Sequence, residues 1–290
     1  MDELKRNYSG GNSDSRVRQA AYRKGYGVRA ENIPSGKSTR NTPIWDYQLG
    51  SPIRPSTIHH DNGFLALGAT VATFSDYISY AKWQIKVDVA SYIRPDLTDA
   101  TAAYQHFLTG NGLSRTFSYE RYVLMDQSGK KALESAILEA KLVAYYFWMF
   151  SAGTAYAFTG PAISSGSKEY PYPATENWQK AIGGHVIWLS ASVKVDEKKK
   201  DPKFDMDLVL HAEDRYNFNP KQADITTGIP DSANGRFSRS GLAQQYMNTS
   251  TLNRNIQWLG EPIISETEVS RSFLDRIGRK EREEDKGKRR

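Results

Sequence analysis

Residues 204–220 read FDMDLVLHAEDRYNFNP, and their alternation sets the architecture expected for the whole chain. Phe204, Met206, Leu208, Leu210 and Ala212 share one face, while Asp205, Asp207 and His211 take the other. That is the period of two expected of a half-buried strand. The strand runs into a knot of polar side chains, Glu213, Asp214, Arg215, Tyr216, Asn217 and Asn219. Pro220 stops it, because proline cannot continue a central ladder. If the strand stays regular to Asp214, His211 and Asp214 point to opposite faces. Only a bulge at residues 212–213 would bring them together.

Working outward, residues 185–195 alternate in the same way, with His185, Ile187, Leu189, Ala191, Val193 and Val195 on one face. The charged stretch 196–203 turns the chain around, so 185–212 is expected to form an antiparallel hairpin with a long loop. His185, in line with an apolar face, reads as a satisfied core or rim histidine. Beyond Pro220, residues 224–237 (DITTGIPDSANGRF) read as a loop with a tight turn at Asn234-Gly235. Residues 242–258 read as one long or two short strands. A helical turn around 269–277 precedes a charged tail.

Toward the N-terminus, Trp45, Tyr47 and Leu49 suggest a short edge strand between proline-bearing turns. His59, His60 and Asp61 follow in a loop, and neighbouring side chains point apart in extended chain, which weighs against a metal site. Residues 64–80 do not separate helix from strand. Trp83, Ile85, Val87 and Val89 alternate with Gln84, Lys86 and Asp88 as a half-exposed strand. Residues 96–108 read as a short helix capped by Asp96 or Thr98, 116–124 as a strand, and 130–150 as a helix rich in good helix formers. Residues 142–163 contain 22 positions without a charge, long enough to raise a membrane span or a pore. Ser151, Gly153, Thr154, Thr159, Gly160 and Pro161 interrupt them, which favours a buried helix end followed by a strand at 154–158. The proline- and tyrosine-rich stretch 170–173 reads as a linker.

The expected fold is α+β. Residues 1–40 form a disordered basic segment, 41–165 an N-terminal half of mixed strands with one main helix, 166–262 a largely antiparallel β unit, and 263–290 a charged tail. The net charge of +6 resides in the ends: residues 1–40 carry nine basic and four acidic side chains, and 271–290 nine and five. The body between them is slightly acidic, so nucleic acid is not an expected partner. Cysteine is absent, which excludes disulfides and thiol nucleophiles. The first residues lack the apolar core of a signal peptide. Synthesis in the cytoplasm, with delivery to the periplasm or outside the cell by another route, is the expectation.

Phosphate-binding loops, dinucleotide glycine fingerprints, HExxH and GxSxG are all missing. What remains is the polar knot and the loop after it. Asp214 and Asp224 suit a hard divalent ion such as magnesium. Asp214, Tyr216 and His211 are the candidate catalytic groups, with His211 or a carboxylate taking a proton from water. Arg215, Asn217 and Asn219 are candidate substrate contacts. The same Asp and Asn residues also build Asx turns, and that structural reading stays open.

The runs EDRYNFNP (213–220), ADITTGIPDSANGRF (223–237) and GLAQQY (241–246) resemble a C-terminal domain of uncharacterised bacterial proteins, some linked to polymorphic toxins. Asp214-x-Tyr216 with Phe218 also resembles, more distantly, the Asp-x-Tyr-Asp sequence of the colicin M bacteriocins. Asn217 stands where that family has its second aspartate, and Ala223-Asp224 about where it has a His-Arg pair. The resemblance implies a toxin-like effector of the cell envelope that cleaves a lipid-linked peptidoglycan precursor with magnesium. Its partners would be an immunity protein or a component of secretion machinery. Asparagine keeps the shape of aspartate but is neither a base nor an anionic ligand. A non-enzymatic interaction protein is the alternative.

Overall fold

The computed structural model describes residues 46–61, 63–64, 69–150, 152–198, 201–225 and 227–262. The expectations for 1–40, for the turn at 269–277 and for the charged tail fall outside them. In chain order the elements are β1 (Gln48–Leu49), α1 (Phe74–Ile93), α2 (Thr98–Thr109), β2 (Arg115–Thr116), α3 (Tyr119–Met125), α4 (Gln127–Met149), β3 (Ala155–Thr159), β4 (Ile163–Ser164), α5 (Glu176–Ala181), β5 (Val186–Asp196), β6 (Lys203–Tyr216), α6 (Ser232–Arg239) and β7 (Tyr246–Leu259). Seven strands form one sheet in the order β1, β3, β5, β6, β7, β2, with β4 paired to β5. All pairs are antiparallel except β2 with β7. The fold is α+β, and its sheet takes strands from both sides of residue 165.

The hairpin at 185–212 is present, and β6 runs further than its apolar face suggested. Glu213, Asp214, Arg215 and Tyr216 are its last four residues, paired with Thr249, Asn248, Met247 and Tyr246 of β7. The polar knot therefore begins inside the sheet. Backbone pairing with β7 satisfies the amides that a turn would otherwise leave to side chains.

Two expected strands are helices. Residues 83–89 lie within α1, which Thr73 and Asp76 start as a capping box. The alternation there was misleading because two helix turns bring Tyr80, Trp83 and Val87 to the same side at i, i+3 and i+7. These pack with Phe107, Phe237 and Leu242, leaving Ile85 and Val89 exposed. Residues 119–125 form α3, capped by the Ser118 side chain on the Arg121 amide. The stretch 224–237 is not all loop: Asn234 and Gly235 lie inside α6.

The inward side chains of β5 and β6, including Leu189, Ala191, Met206, Leu208 and Leu210, bury against α4. Among the described residues no helix is long and apolar enough to cross a membrane. Leu142, Val143, Phe147 and Trp148 belong to this core. A second cluster of Val87, Phe107, Leu108, Phe237 and Tyr246 sits at the far end of β6, and Tyr216 packs against both.

Candidate functional site

Alternation along β6 continues past Ala212 without a bulge, so Asp214 falls on the face of Phe204, Leu208 and Leu210. A carboxyl thus stands in line with the core. It is only 8% exposed. Burial pushes its pKa well above the usual carboxylate range, and the charge of Asp61 pushes it further; the Arg215 amide works the other way. Across the strand pair, Asn248 is fully buried, donates to the Ala181 carbonyl at 3.2 Å and accepts from Arg115 at 3.4 Å. Tyr216 continues the same face and stacks on Tyr246 at 5.1 Å. Burial first, then Tyr246, Tyr104 and Asp214, raise its phenol well above the ordinary value.

The chain leaving β6 is tied to the distant segment around Asp61. Phe64 donates its amide to the Phe218 carbonyl at 3.0 Å. The Asn217 side chain donates to the Asp61 carboxylate, and Asn219 Nδ2 donates to Asp61 Oδ2 at 3.2 Å. The Asn219 amide reaches Asp231 Oδ2 at 2.9 Å. Asp231 is nonetheless raised, by burial first and by Asp224 in addition. Asp224 accepts from the Thr227 amide and hydroxyl, both at 2.6 Å, and pairs with Lys180 at 3.0 Å. Burial opposes its charge, but Thr227 and Lys180 outweigh it and hold the carboxyl below its ordinary range. Tyr172 joins these groups: burial, followed by Asp214, Asp224 and Asp231, raises its phenol.

His211 and Arg215 lie on the opposite face of β6 from Asp214, so the expected His211–Asp214 pairing is not assembled. His211 stacks flat on Trp188, ring centroids 3.5 Å apart, and Nε2 lies 2.9 Å from Ser190 Oγ. Burial lowers its pKa to about 4, against an opposing pull from Glu213. A serine hydrogen-bonded to a histidine is the first element of an activated nucleophile. Ser190, however, is 1% exposed, and among the described residues no third group that would orient His211 by a hydrogen bond accompanies the pair. Glu213, on this face, receives a two-pronged contact from Arg54 at 2.8 to 3.0 Å and lies 3.3 Å from His60 Nε2. Burial opposes its charge, but Arg54 and His60 hold the carboxyl below its usual range.

Of the residues expected from sequence, Asp214, Tyr216, Asn217, Asn219 and Asp224 gather at one end of the sheet, while His211 and Arg215 take its other face. Asp61, Tyr172, Lys180 and Asn248 complete the cluster. Asp61 stood beside two histidines, of which His60 turns to Glu213, and Tyr172 lay in an apparent linker. Neither carried a local signal toward a residue such as Asp214.

Among the described residues, no group of three or more His, Cys, Asp or Glu side chains could hold a metal ion. Asp224, one of the two magnesium ligands expected from sequence, already has its carboxylate engaged by Lys180 and Thr227. As arranged, Asp214 and Asp224 do not fit a magnesium site.

No family model matches the chain, and no curated protein matches it. Among solved structures the chain is similar to PaeM, a colicin M-like bacteriocin produced by Pseudomonas aeruginosa. The TM-score is 0.34 at 14% identity, over 57% of this chain and 52% of that one. The likeness thus spans about half the length of the bacteriocin and is too slight to transfer the role of any residue.

Proposed function

We propose that this chain is a bacterial toxin-like effector of the cell envelope that hydrolyses a phosphate-bearing, lipid-linked peptidoglycan precursor, with Asp214 as proton donor. The toxin-like part is supported by the Asp214-x-Tyr216 sequence and its surrounding runs. The chemistry rests on one observation: Asp214 is a carboxyl buried on the core face of β6, its charge disfavoured by burial and by the negative charge of Asp61.

Paired carboxyls in unequal surroundings divide acid and base roles between them. Asp214, whose proton is retained by burial, gives it to the leaving oxygen. Asp61, exposed and oriented by Asn217 and Asn219, takes the proton of the attacking water. Lys180, held between Asp224 and Glu176, borders the cluster. These steps need no metal, and a magnesium requirement is read directly by assaying with the cation and with a chelator. The chain would be made in the cytoplasm and act in the periplasm or outside the cell, with an immunity protein or a secretion component as partner.

The test is release of phosphate-bearing product from a lipid-linked precursor by wild type and by Asp214→Asn. Removing a general acid costs about 100-fold or more in rate, whereas the amide preserves shape. Full activity in Asp214→Asn would overturn the assignment. A second reading, an interaction protein in which the knot only builds a turn, draws on the bonds that Asn217, Asn219, Asp224 and Asp231 make among neighbouring segments. No turnover of any envelope substrate by wild type would favour it.

A further inference from the structure

Among the described residues eight buried polar side-chain atoms have no hydrogen-bond partner, and four of them belong to residues packed on one another. These four are the hydroxyls of Tyr119 and Tyr122, the indole N–H of Trp178 and Nε2 of His185. All four residues are at most 3% exposed, and they are neighbours. Tyr119, Tyr122 and His185 form a closed triangle of ring contacts with centroids 5.2, 5.8 and 6.1 Å apart. Trp178 packs on Tyr122 at 5.0 Å. α3 and α5 supply the aromatic groups, and the entry to β5 supplies the histidine.

The histidine fixes the hydrogen-bonding character of the group. Its Nδ1 lies 3.1 Å from the Gly183 carbonyl, which only accepts, so Nδ1 carries the hydrogen. Nε2 then offers a lone pair. Burial lowers the imidazole to about 4, which keeps it neutral. One packed aromatic group thus holds two hydroxyls and an indole N–H without acceptors and one acceptor without a donor. Unpaired polar groups so deep are destabilising and rare, and several together call for a shared partner.

We propose that Tyr119, Tyr122, Trp178 and His185 form an internal binding site for a small uncharged molecule that both accepts and donates hydrogen bonds, of the size of water or a short alcohol. The Nε2 lone pair disfavours an anion and the three donors disfavour a cation. The site braces the cluster described above. His185 holds the Gly183 carbonyl, and Gly183 and Gly184 are where Tyr172 rests, close enough that added Cβ atoms would lie 3.4 Å from its hydroxyl and 3.9 Å from its ring, respectively.

Two conservative variants and one wild-type measurement test it. Deleting a hydroxyl that bonds an occupant destabilises the protein, while deleting an orphan is neutral or stabilising. Tyr119→Phe and Tyr122→Phe should each lower Tm by about 2–4 °C. An unchanged or raised Tm in both would overturn the proposal. A high-resolution crystal structure of wild type should show density within hydrogen-bond distance of His185 Nε2, and an empty space would also overturn it. Native mass spectrometry separates the sources: the bare polypeptide mass assigns the site to water, an added mass to a small organic molecule, and both uphold it.

Discussion

Asp214 and His211 stand three residues apart on one strand, yet alternation gives them different surroundings and opposite protonation demands. His211 and His185 are both lowered to about 4 by burial, below the ordinary 6.5. Groups whose folded pKa is depressed stabilise the fold above their unfolded pKa and lose that contribution as pH falls through the folded one. For a base such as histidine, protonation in the unfolded chain is what draws stability away. The loss therefore runs from about pH 6.5 down to about pH 4, and for the fully buried His185 it amounts to about 3 kcal/mol. Glu213, also depressed, adds acid sensitivity below the ordinary glutamate range, whereas the raised Asp214 contributes with the opposite sign. Denaturant melts between pH 7 and 4.5 should show a shallower decline in His211→Asn than in wild type. Equal slopes would show that His211 titrates normally.

Much of this residue-level picture was readable in the sequence. The face of Phe204, Leu208 and Leu210 and the opposite parity of His211 and Asp214 follow from a period of two. The depth of Asp214 did not, because it depends on Asp61, Tyr172 and Asn248 arriving from remote parts of the chain.

At the scale of elements, the sequence was legible where one pattern had one physical solution. The hairpin β5–β6, the edge strand β1, the helix α4 and the long strand β7 are such cases. α1 was not, since Trp83, Ile85, Val87 and Val89 satisfy a strand period while Tyr80, Trp83 and Val87 satisfy a helical one. The Thr73 and Asp76 capping box was the local signal that separates them. The two assignments make different demands on neighbouring residues. In a strand, Ile85 and Val87 would share a buried face. In α1, Val87 is 7% exposed and Ile85 63%. Val87→Ala should therefore cost about 1–3 kcal/mol in denaturant unfolding, while Ile85→Ser should stay within about 0.5 kcal/mol of wild type. Similar losses at both positions would contradict the helix. α3 and α6 were hidden for a related reason: both are short and are set by tertiary packing more than by propensity.

On the scale of the whole molecule, Asp214 lies where two cores meet. The larger one, beneath α4, ends at Ala212, and the smaller aromatic one begins with Tyr216 and Tyr246. The edges are drawn in by buried contacts of the same kind: Glu139 on α4 accepts from Tyr47 and Tyr170, each at 2.9 Å. The state of Asp214 is thus a property of the assembled fold, and no peptide containing it would reproduce that state. The most direct test is a titration of the Asp214 carboxyl carbon by 13C NMR in the intact protein, assigned by its loss in Asp214→Asn. The account predicts a midpoint well above the ordinary aspartate range, with the carboxyl still carrying its proton where other aspartates have ionised. A midpoint near 4, where an unperturbed aspartate titrates, would contradict it.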